Sequence, residues 1–171
     1  MPATVRLGVL ADTHLPTRAR SLPPILFAAF AGVDAILHAG DLCTLAVLIE
    51  LEAIAPVYAV YGNVDGEDVR RRLPGSRLLT FGAHRIGLVH GDGPGRIATP
   101  ERARAAFTEA DIIVFGHSHQ PYNRRVDGVL LFNPGSPTDR RFEPQCTYGT
   151  IVLGREVTAE IHPVPPAEGH P

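Results

Sequence analysis

The sequence predicts an α/β protein organised around a parallel sheet. Three observations point there. Short apolar runs alternate with helical segments through the first third of the chain, strand, helix, strand, helix, strand. Each of these runs stops at an aspartate or asparagine: Asp12, Asp41 and Asn63. Past His119 the helical signals cease and only strand-like runs remain.

The elements follow in order. Val5–Leu10 is a short apolar run, as expected of a buried strand. Ser21 reads as an N-cap and Pro23-Pro24 as a first turn, opening a helix over Ile25–Phe30 that ends at Gly32. Asp34–His38 is a second strand. Thr44–Ile54 is a helix with Leu45, Leu48 and Ile49 on its apolar face. Val57–Tyr61 is a third strand. Arg77–Phe81 and Arg85–His90 form a strand pair joined at Gly82-Ala83-His84. Thr99–Phe107 is an amphipathic helix with Thr99 as N-cap and Pro100 at its start. Asp111–Phe115 is another buried strand. Tyr122–Val126 and Val129–Phe132 form a hairpin about Asp127-Gly128. Tyr148–Leu153 and Val157–Ile161 complete the strands, as an antiparallel portion expected beside the first sheet.

The chain has 171 residues, 16 of them Lys or Arg, and every one of those is arginine. Lysine chemistry is therefore excluded: no Schiff base, no phosphate-cradling P-loop lysine and no lysine general base. The length favours one domain over 1–171, with 163–171 a flexible proline-rich tail. A net charge of −2 argues against a nucleic-acid partner, except as a short product. No apolar run reaches the length of a membrane span. The N-terminal residues pass directly into a strand without a signal-peptide core, so the cytoplasm is the expected location. Two cysteines make neither a disulfide framework nor a cysteine zinc site.

Five loops after predicted strands carry metal-type donors: Asp12-Thr13-His14, Gly40-Asp41, Gly62-Asn63, His90-Gly91 and Gly116-His117-Ser118-His119. They offer two carboxylates, four imidazoles and one amide. Hard oxygen combined with imidazole suits manganese, iron, zinc, cobalt or nickel. Seven donors exceed the four of a structural zinc site and suit two ions sharing one carboxylate. Ligands of open α/β sheets bind at the carboxyl ends of strands, where these loops lie.

In these five blocks, taken in this order, the sequence resembles the calcineurin-like metallophosphoesterase superfamily, and its small prokaryotic phosphodiesterase branch in particular. Asn133-Pro134-Gly135-Ser136 matches a further motif of that branch, and the resemblance runs from about Val5 to about Ile161. It implies a four-layer αββα sandwich with two mixed β-sheets. It implies that Asp12, His14, Asp41 and His119 hold one divalent ion, and that Asn63, His90 and His117 complete a second with Asp41 bridging. Manganese is the expected ion, with nickel, cobalt, iron and zinc compatible. The implied activity is phosphodiester hydrolysis by in-line attack of a hydroxide held between the ions, with Asp41, Asn63 and His117 as the metal-held catalytic residues. The substrate would be a small phosphate ester, and the chain a homo-oligomer in common with much of the family.

Two departures from the family pattern stand out. Val64 follows Asn63 where much of the family has a histidine that protonates the leaving group, and valine donates no proton. Ala11 stands where serine is frequent. A scaffold of the same fold, acting through protein contacts, is the alternative; retention of all seven donors weighs against it. A metallo-β-lactamase-type hydrolase expects His-x-His-x-Asp-His, which His117-Ser118-His119-Gln120-Pro121 lacks.

Single residues also carry plainer readings. Asp41 alone would cap the Thr44 helix, and Asp65-Gly66 would be an ordinary turn. His38 is expected to support a ligand rather than be one. His84, His162 and His170 are expected to be structural. Arg70-Arg71-Arg72 reads as a solvated run, as does Arg140-Arg141, although the latter follows the Asn133–Ser136 turn and is better placed. Cys43 is expected to be a small buried residue. Three loops, Pro16–Arg20, Asp92–Arg96 and Asp139–Gln145, are expected to shape the substrate pocket.

Overall fold

In a computed structural model, which describes residues 4–166, two five-stranded sheets face one another. The elements in chain order are β1 (Val5–Leu10), α1 (Ile25–Ala29), β2 (Ala35–His38), α2 (Ala46–Glu52), β3 (Val57–Ala59), α3 (Glu67–Arg72), β4 (Ser76–Phe81), β5 (His84–Val89), α4 (Thr99–Ala105), β6 (Ile112–Val114), β7 (Tyr122–Val126), β8 (Val129–Asn133), β9 (Thr147–Leu153) and β10 (Val157–Pro163). The first sheet runs β10-β9-β1-β2-β3, the second β4-β5-β6-β8-β7. Each holds three parallel strands: β1, β2 and β3, with β3 at one edge and antiparallel β9 and β10 on the other side, and β5, β6 and β8, flanked by antiparallel β4 and β7.

Three apolar layers separate four structural ones. Leu26 and Phe30 of the α1 segment and Val47 and Leu51 of α2 pack on Leu10 and Ile36 of the first sheet. Leu7, Val9 and Leu37 meet Ile86, Leu88, Val114 and Phe132 between the sheets. Ala103 and Phe107 cover Ile113, Phe115 and Leu131 on the far side. This is the expected αββα sandwich. Alternation along each central strand produces it: both faces are buried, and successive side chains feed two different apolar layers. Each fully buried Leu, Ile or Phe contributes about 1.5–3 kcal/mol relative to exposure.

The structure corrects several expected details. The four late strands are not a separate portion: β9 and β10 extend the first sheet through β1, while β7 and β8 extend the second. Helix α1 begins after Pro24 with no side-chain cap, because Pro23 and Pro24 carbonyls accept the Leu26 and Phe27 N–H groups directly. Helix α2 is shorter than Thr44–Ile54, and its buried stripe is Val47, Leu48 and Leu51. Ile49 is turned about 200° from Val47 and from Leu51 at 100° per residue, and it is 69% exposed. Thr99 lies inside α4, whose N-cap is Ala98.

Arg70-Arg71-Arg72, expected as a solvated run, form the last turn of helix α3. Glu67 and Asp68 occupy its first turn and Arg70, Arg71 and Arg72 its last, so charge complements the helix dipole at both ends. Val69 is its one buried residue, too little apolar signal to reveal a helical period.

Of the expected tail, Pro163 closes β10 and the Val164 N–H donates to the Cys146 carbonyl at 2.8 Å. Residues 167–171, including His170, lie outside the described residues. No helix among the described residues is long and apolar enough to cross a membrane.

Candidate metal centre

The six parallel strands, β1, β2 and β3 of one sheet and β5, β6 and β8 of the other, all end on the same side of the sandwich. The loops that follow them bring the seven predicted donors together. Asp12 and His14 follow β1, Asp41 follows β2 and Asn63 follows β3. His90 follows β5, and His117 and His119 follow β6.

Around Asp12 Oδ1, the Nε2 atoms of His119, His14 and His90 lie at 3.6, 3.8 and 3.9 Å. Asp41 Oδ2 is 3.1 Å from His90 Nε2 and 3.7 Å from His14 Nε2. His14 Nε2 and His119 Nε2 stand 3.1 Å apart. Asn63 Oδ1 lies 3.1 Å from both His90 Nε2 and His117 Nδ1. Two trios, Asp12-His14-His119 and Asp12-Asp41-His90, each keep their ligand atoms within 4.8 Å of one another and are fully buried. Donors about 2.1 Å from one ion, at 90–110° to each other, stand about 3.0–3.4 Å apart. The observed spacings begin in that range.

Two of the imidazoles are aimed by their other nitrogen. His90 Nδ1–H donates to the Ala39 carbonyl at 2.8 Å, and His119 Nδ1–H to the Asp139 carbonyl at 2.6 Å. In the neutral ring, the form that binds a metal, these bonds leave Nε2 as the lone-pair nitrogen facing inward. His14 Nδ1 lies 3.6 Å from Cys43 Sγ. Cys43 is thus half-buried beside a candidate ligand rather than simply buried. His38 stands behind the site as expected: it accepts the Gly40 N–H on Nδ1, so Nε2–H is left to donate to Thr13 Oγ1.

The electrostatics describe a cluster short of positive charge. Asp12 is fully buried; desolvation pushes its carboxyl up to about 7, against the pull of His90. Its Oδ2 accepts the His117 N–H at 2.9 Å, while Oδ1 has no partner. Burial opposes charge on His90, yet its bond to Asp41 and the charges of Asp12 and Asp41 push it up to about 9. Burial lowers His14 and His117, and lowers His119 to about 4. A buried carboxylate oxygen without a donor, ringed by imidazole nitrogens, is an environment that a cation completes. The residues therefore fit a divalent metal.

The backbone is strained where the donors sit. Asp12, His14, Asp41, Cys43, His117 and His119 hold φ between 43 and 70°. Left-handed conformations are uncommon outside glycine and cost about 1 kcal/mol or more each. Here they occur at alternate residues of three loops. Two glycines permit the close approach of those loops. Gly40 takes φ 96°, and a Cβ on Gly62 would fall on the Asp41 carboxylate.

One buried residue that reads as an ordinary turn holds the loops together. Asp65 Oδ2 accepts the N–H of Asp41 at 2.9 Å and of Gly62 at 2.8 Å, and Oδ1 that of Cys43 at 2.7 Å. Its sequence signal is its place two residues after Asn63 and before Gly66. Asp41 does not cap α2; its Oδ1 accepts the Val64 N–H at 3.0 Å. Arg70, although exposed, is not free either. It donates to the carbonyls of Asp65, Gly62 and Asn63 and lies over the Tyr61 ring. After β8, Ser136 Oγ donates to the Asp12 carbonyl and Thr138 Oγ1 to the Thr13 carbonyl, both at 2.7 Å. Arg141 Nη1 donates to the His117 carbonyl at 3.2 Å. His84 and His162 take no part; His162, in β10, stacks on Tyr148 and bonds Thr150 of β9.

The family whose description is calcineurin-like phosphoesterase superfamily domain matches residues 5–155. A "probable metallophosphoesterase" of Methanothermobacter thermautotrophicus is 40% identical over 156 residues, covering 91% of this chain and 90% of its own. A phosphodiesterase of Methanocaldococcus jannaschii is 25% identical over 145 residues, covering 77% of this chain and 83% of its own. Among solved structures, vacuolar protein sorting 29 from Cryptosporidium parvum superposes with a TM-score of 0.79 at 23% identity, covering 95% and 92%.

Proposed function

Since the chain belongs to the calcineurin-like phosphoesterase superfamily, we propose that it hydrolyses small phosphate esters with two divalent metal ions, and that it prefers diesters to monoesters. The observation that carries this reading is the unpartnered Asp12 Oδ1, buried among three imidazole Nε2 atoms. In this proposal Asp12, His14, Asp41 and His119 hold one ion, and Asp41, Asn63, His90 and His117 the other. The reach of Asp41 Oδ2 to both His14 and His90 supports its bridging role. Manganese is the ion proposed; nickel, cobalt, iron and zinc suit the same donors. The cytoplasm is the proposed place of action.

Bound divalent ions supply Lewis-acid charge for the phosphoryl oxygens and make hydroxide available from water near neutral pH. The chain's own part is to aim and to exclude. The Ala39 and Asp139 carbonyls fix the His90 and His119 tautomers, and the Val64 N–H occupies Asp41 Oδ1, leaving Oδ2 inward. Val64 is 50% exposed beside Asn63 and offers the leaving group no proton. Protonation of the leaving oxygen is therefore weak or falls to water or another residue, which favours substrates whose leaving group is already a stable anion.

A scaffold of the same fold, acting through protein contacts, is the other reading. The likeness to vacuolar protein sorting 29 is one of fold. A scaffold has no need of seven converging donors, five of them on strained backbone at Asp12, His14, Asp41, His117 and His119.

Metal analysis of the purified protein, with a panel of mono- and diesters under each divalent ion, tests the proposal. About two equivalents of metal and faster diester turnover are expected. Asp41→Asn should abolish turnover and reduce bound metal to one equivalent or fewer; unchanged turnover in that variant refutes the site.

A further inference from the structure

We propose that Arg141 is the anion-binding arm of this centre, gripping an oxygen of the substrate's phosphate group that the metal ions do not use. The inference rests on the phosphoesterase reading and adds to it the residue that recognises the phosphate.

Geometry places Arg141 against the ligands. Its Nη1 donates to the His117 carbonyl at 3.2 Å, and its own N–H donates to Asp139 Oδ1 at 3.2 Å. Asp139 in turn accepts His119 Nδ1–H on its carbonyl. Arg141 itself holds φ 49°, an uncommon conformation for a long side chain. Its charge is felt by Asp12, His14, His117 and His119.

The other arginines nearby are already engaged. Arg70 spends its donors on three loop carbonyls, Arg18 pairs with Asp139, and Arg140 donates to the Glu143 carbonyl. Among the described residues no carboxylate lies within ion-pair distance of Arg141. Five N–H donors on a guanidinium, with one bonded to protein, leave a fork free for a tetrahedral anion. An unpaired cation beside a cation-binding site is repulsive until an anion lies between them. In a chain without lysine, arginine is the one side chain that carries this charge at every working pH.

The probe is inorganic phosphate, titrated calorimetrically into metal-loaded protein, with metal content measured in parallel. Arg141→Gln should weaken phosphate binding by about ten- to a hundredfold, the range of one charge-assisted contact. It should raise KM more than it lowers kcat, and leave bound metal unchanged. Arg141→Lys keeps a donor for the His117 carbonyl but loses the fork, and should fall between wild type and Arg141→Gln. Arg140→Gln removes the same charge one residue away and should bind phosphate as wild type does. The proposal is overturned if Arg141→Gln binds phosphate normally, if Arg140→Gln loses as much, or if affinity falls only in step with metal content. If the wild-type protein hydrolyses no ester, the phosphoesterase reading fails, while the phosphate titration still decides on Arg141.

Discussion

Replacing Asp65 tests how the ligand loops are held. The Asp65 carboxylate accepts three backbone N–H groups, from Asp41 and Gly62 on Oδ2 and from Cys43 on Oδ1, at 2.7–2.9 Å. Asp65→Ala leaves all three donors without a partner. At about 1–1.5 kcal/mol for each bond, the loss is about 3–5 kcal/mol, part of it recovered where water enters beside half-buried Cys43. For a chain of this length 1 kcal/mol shifts Tm by about 2–4 °C, so Tm should fall by about 10 °C. Asp65→Asn can keep its oxygen where Oδ2 lies and so retain the Asp41 and Gly62 bonds, but its amide then meets the Cys43 N–H. It should lose about a third of the Asp65→Ala effect. Because Asp65 ties the Asp41 loop to the Gly62-Asn63 loop, metal affinity should fall in the same order. Thermal melts with and without chelator, with metal titrations on each variant, provide the measurement. An Asp65→Ala protein within 1 kcal/mol of wild type and with full metal affinity would show that packing, not this carboxylate, sets the loops.

Other outcomes follow from the same geometry. Across a series of aryl and alkyl diesters, the rate should drop steeply as leaving-group pKa rises, since Val64 supplies no acid; a flat dependence would mean that another group protonates the leaving oxygen. His117→Ala should lose far more activity than His84→Ala, because His117 faces Asn63 at 3.1 Å and His84 lies in the β4–β5 hairpin; equal losses would break the ligand assignment. In metal-free protein His90 is held protonated up to about 9 against 6.5 for a free histidine, so the stability it contributes is complete below pH 6.5 and lost as pH rises to 9. Differential scanning fluorimetry in chelator should show Tm falling over that window, and His90→Gln should flatten the fall; a rising Tm would contradict the sign.

The sequence displayed this site more completely than it displayed the fold around it. A metal-type donor announces itself by residue type and by its place after a strand, so the seven candidate donors from Asp12 to His119 are readable in order. Strand pairing has no such local mark. Nothing in Tyr148–Leu153 says that it joins β1 rather than forming a sheet of its own, because that choice is made by contacts across more than a hundred residues. Helix α3 was hidden by its charge, with Val69 alone turned inward. Ile49 misled because an apolar residue beside a buried stripe is indistinguishable from a member of it until the helix docks. Asp65 was missed for a related reason: its partners are backbone N–H groups, present at nearly every residue, so its neighbours in sequence do not advertise its role. Arg70 and Arg141 were likewise read by their charge, whereas the bonds they make are to carbonyls.

The convergence of strand ends has a consequence in time as well as in space. Asp12 and His117, joined through one hydrogen bond, stand 105 residues apart in the chain, and Ser136 reaches back to the Asp12 carbonyl across 124. The donors from the first sheet are synthesised well before those from the second. On the proposed reading, an ion that needs both would find no finished seat on a nascent or half-folded chain, and metal uptake would come late in maturation rather than seed it. Under the proposed function the centre would then act as a checkpoint: only a chain that has closed its sandwich would acquire reactivity, and partly folded copies would stay inert.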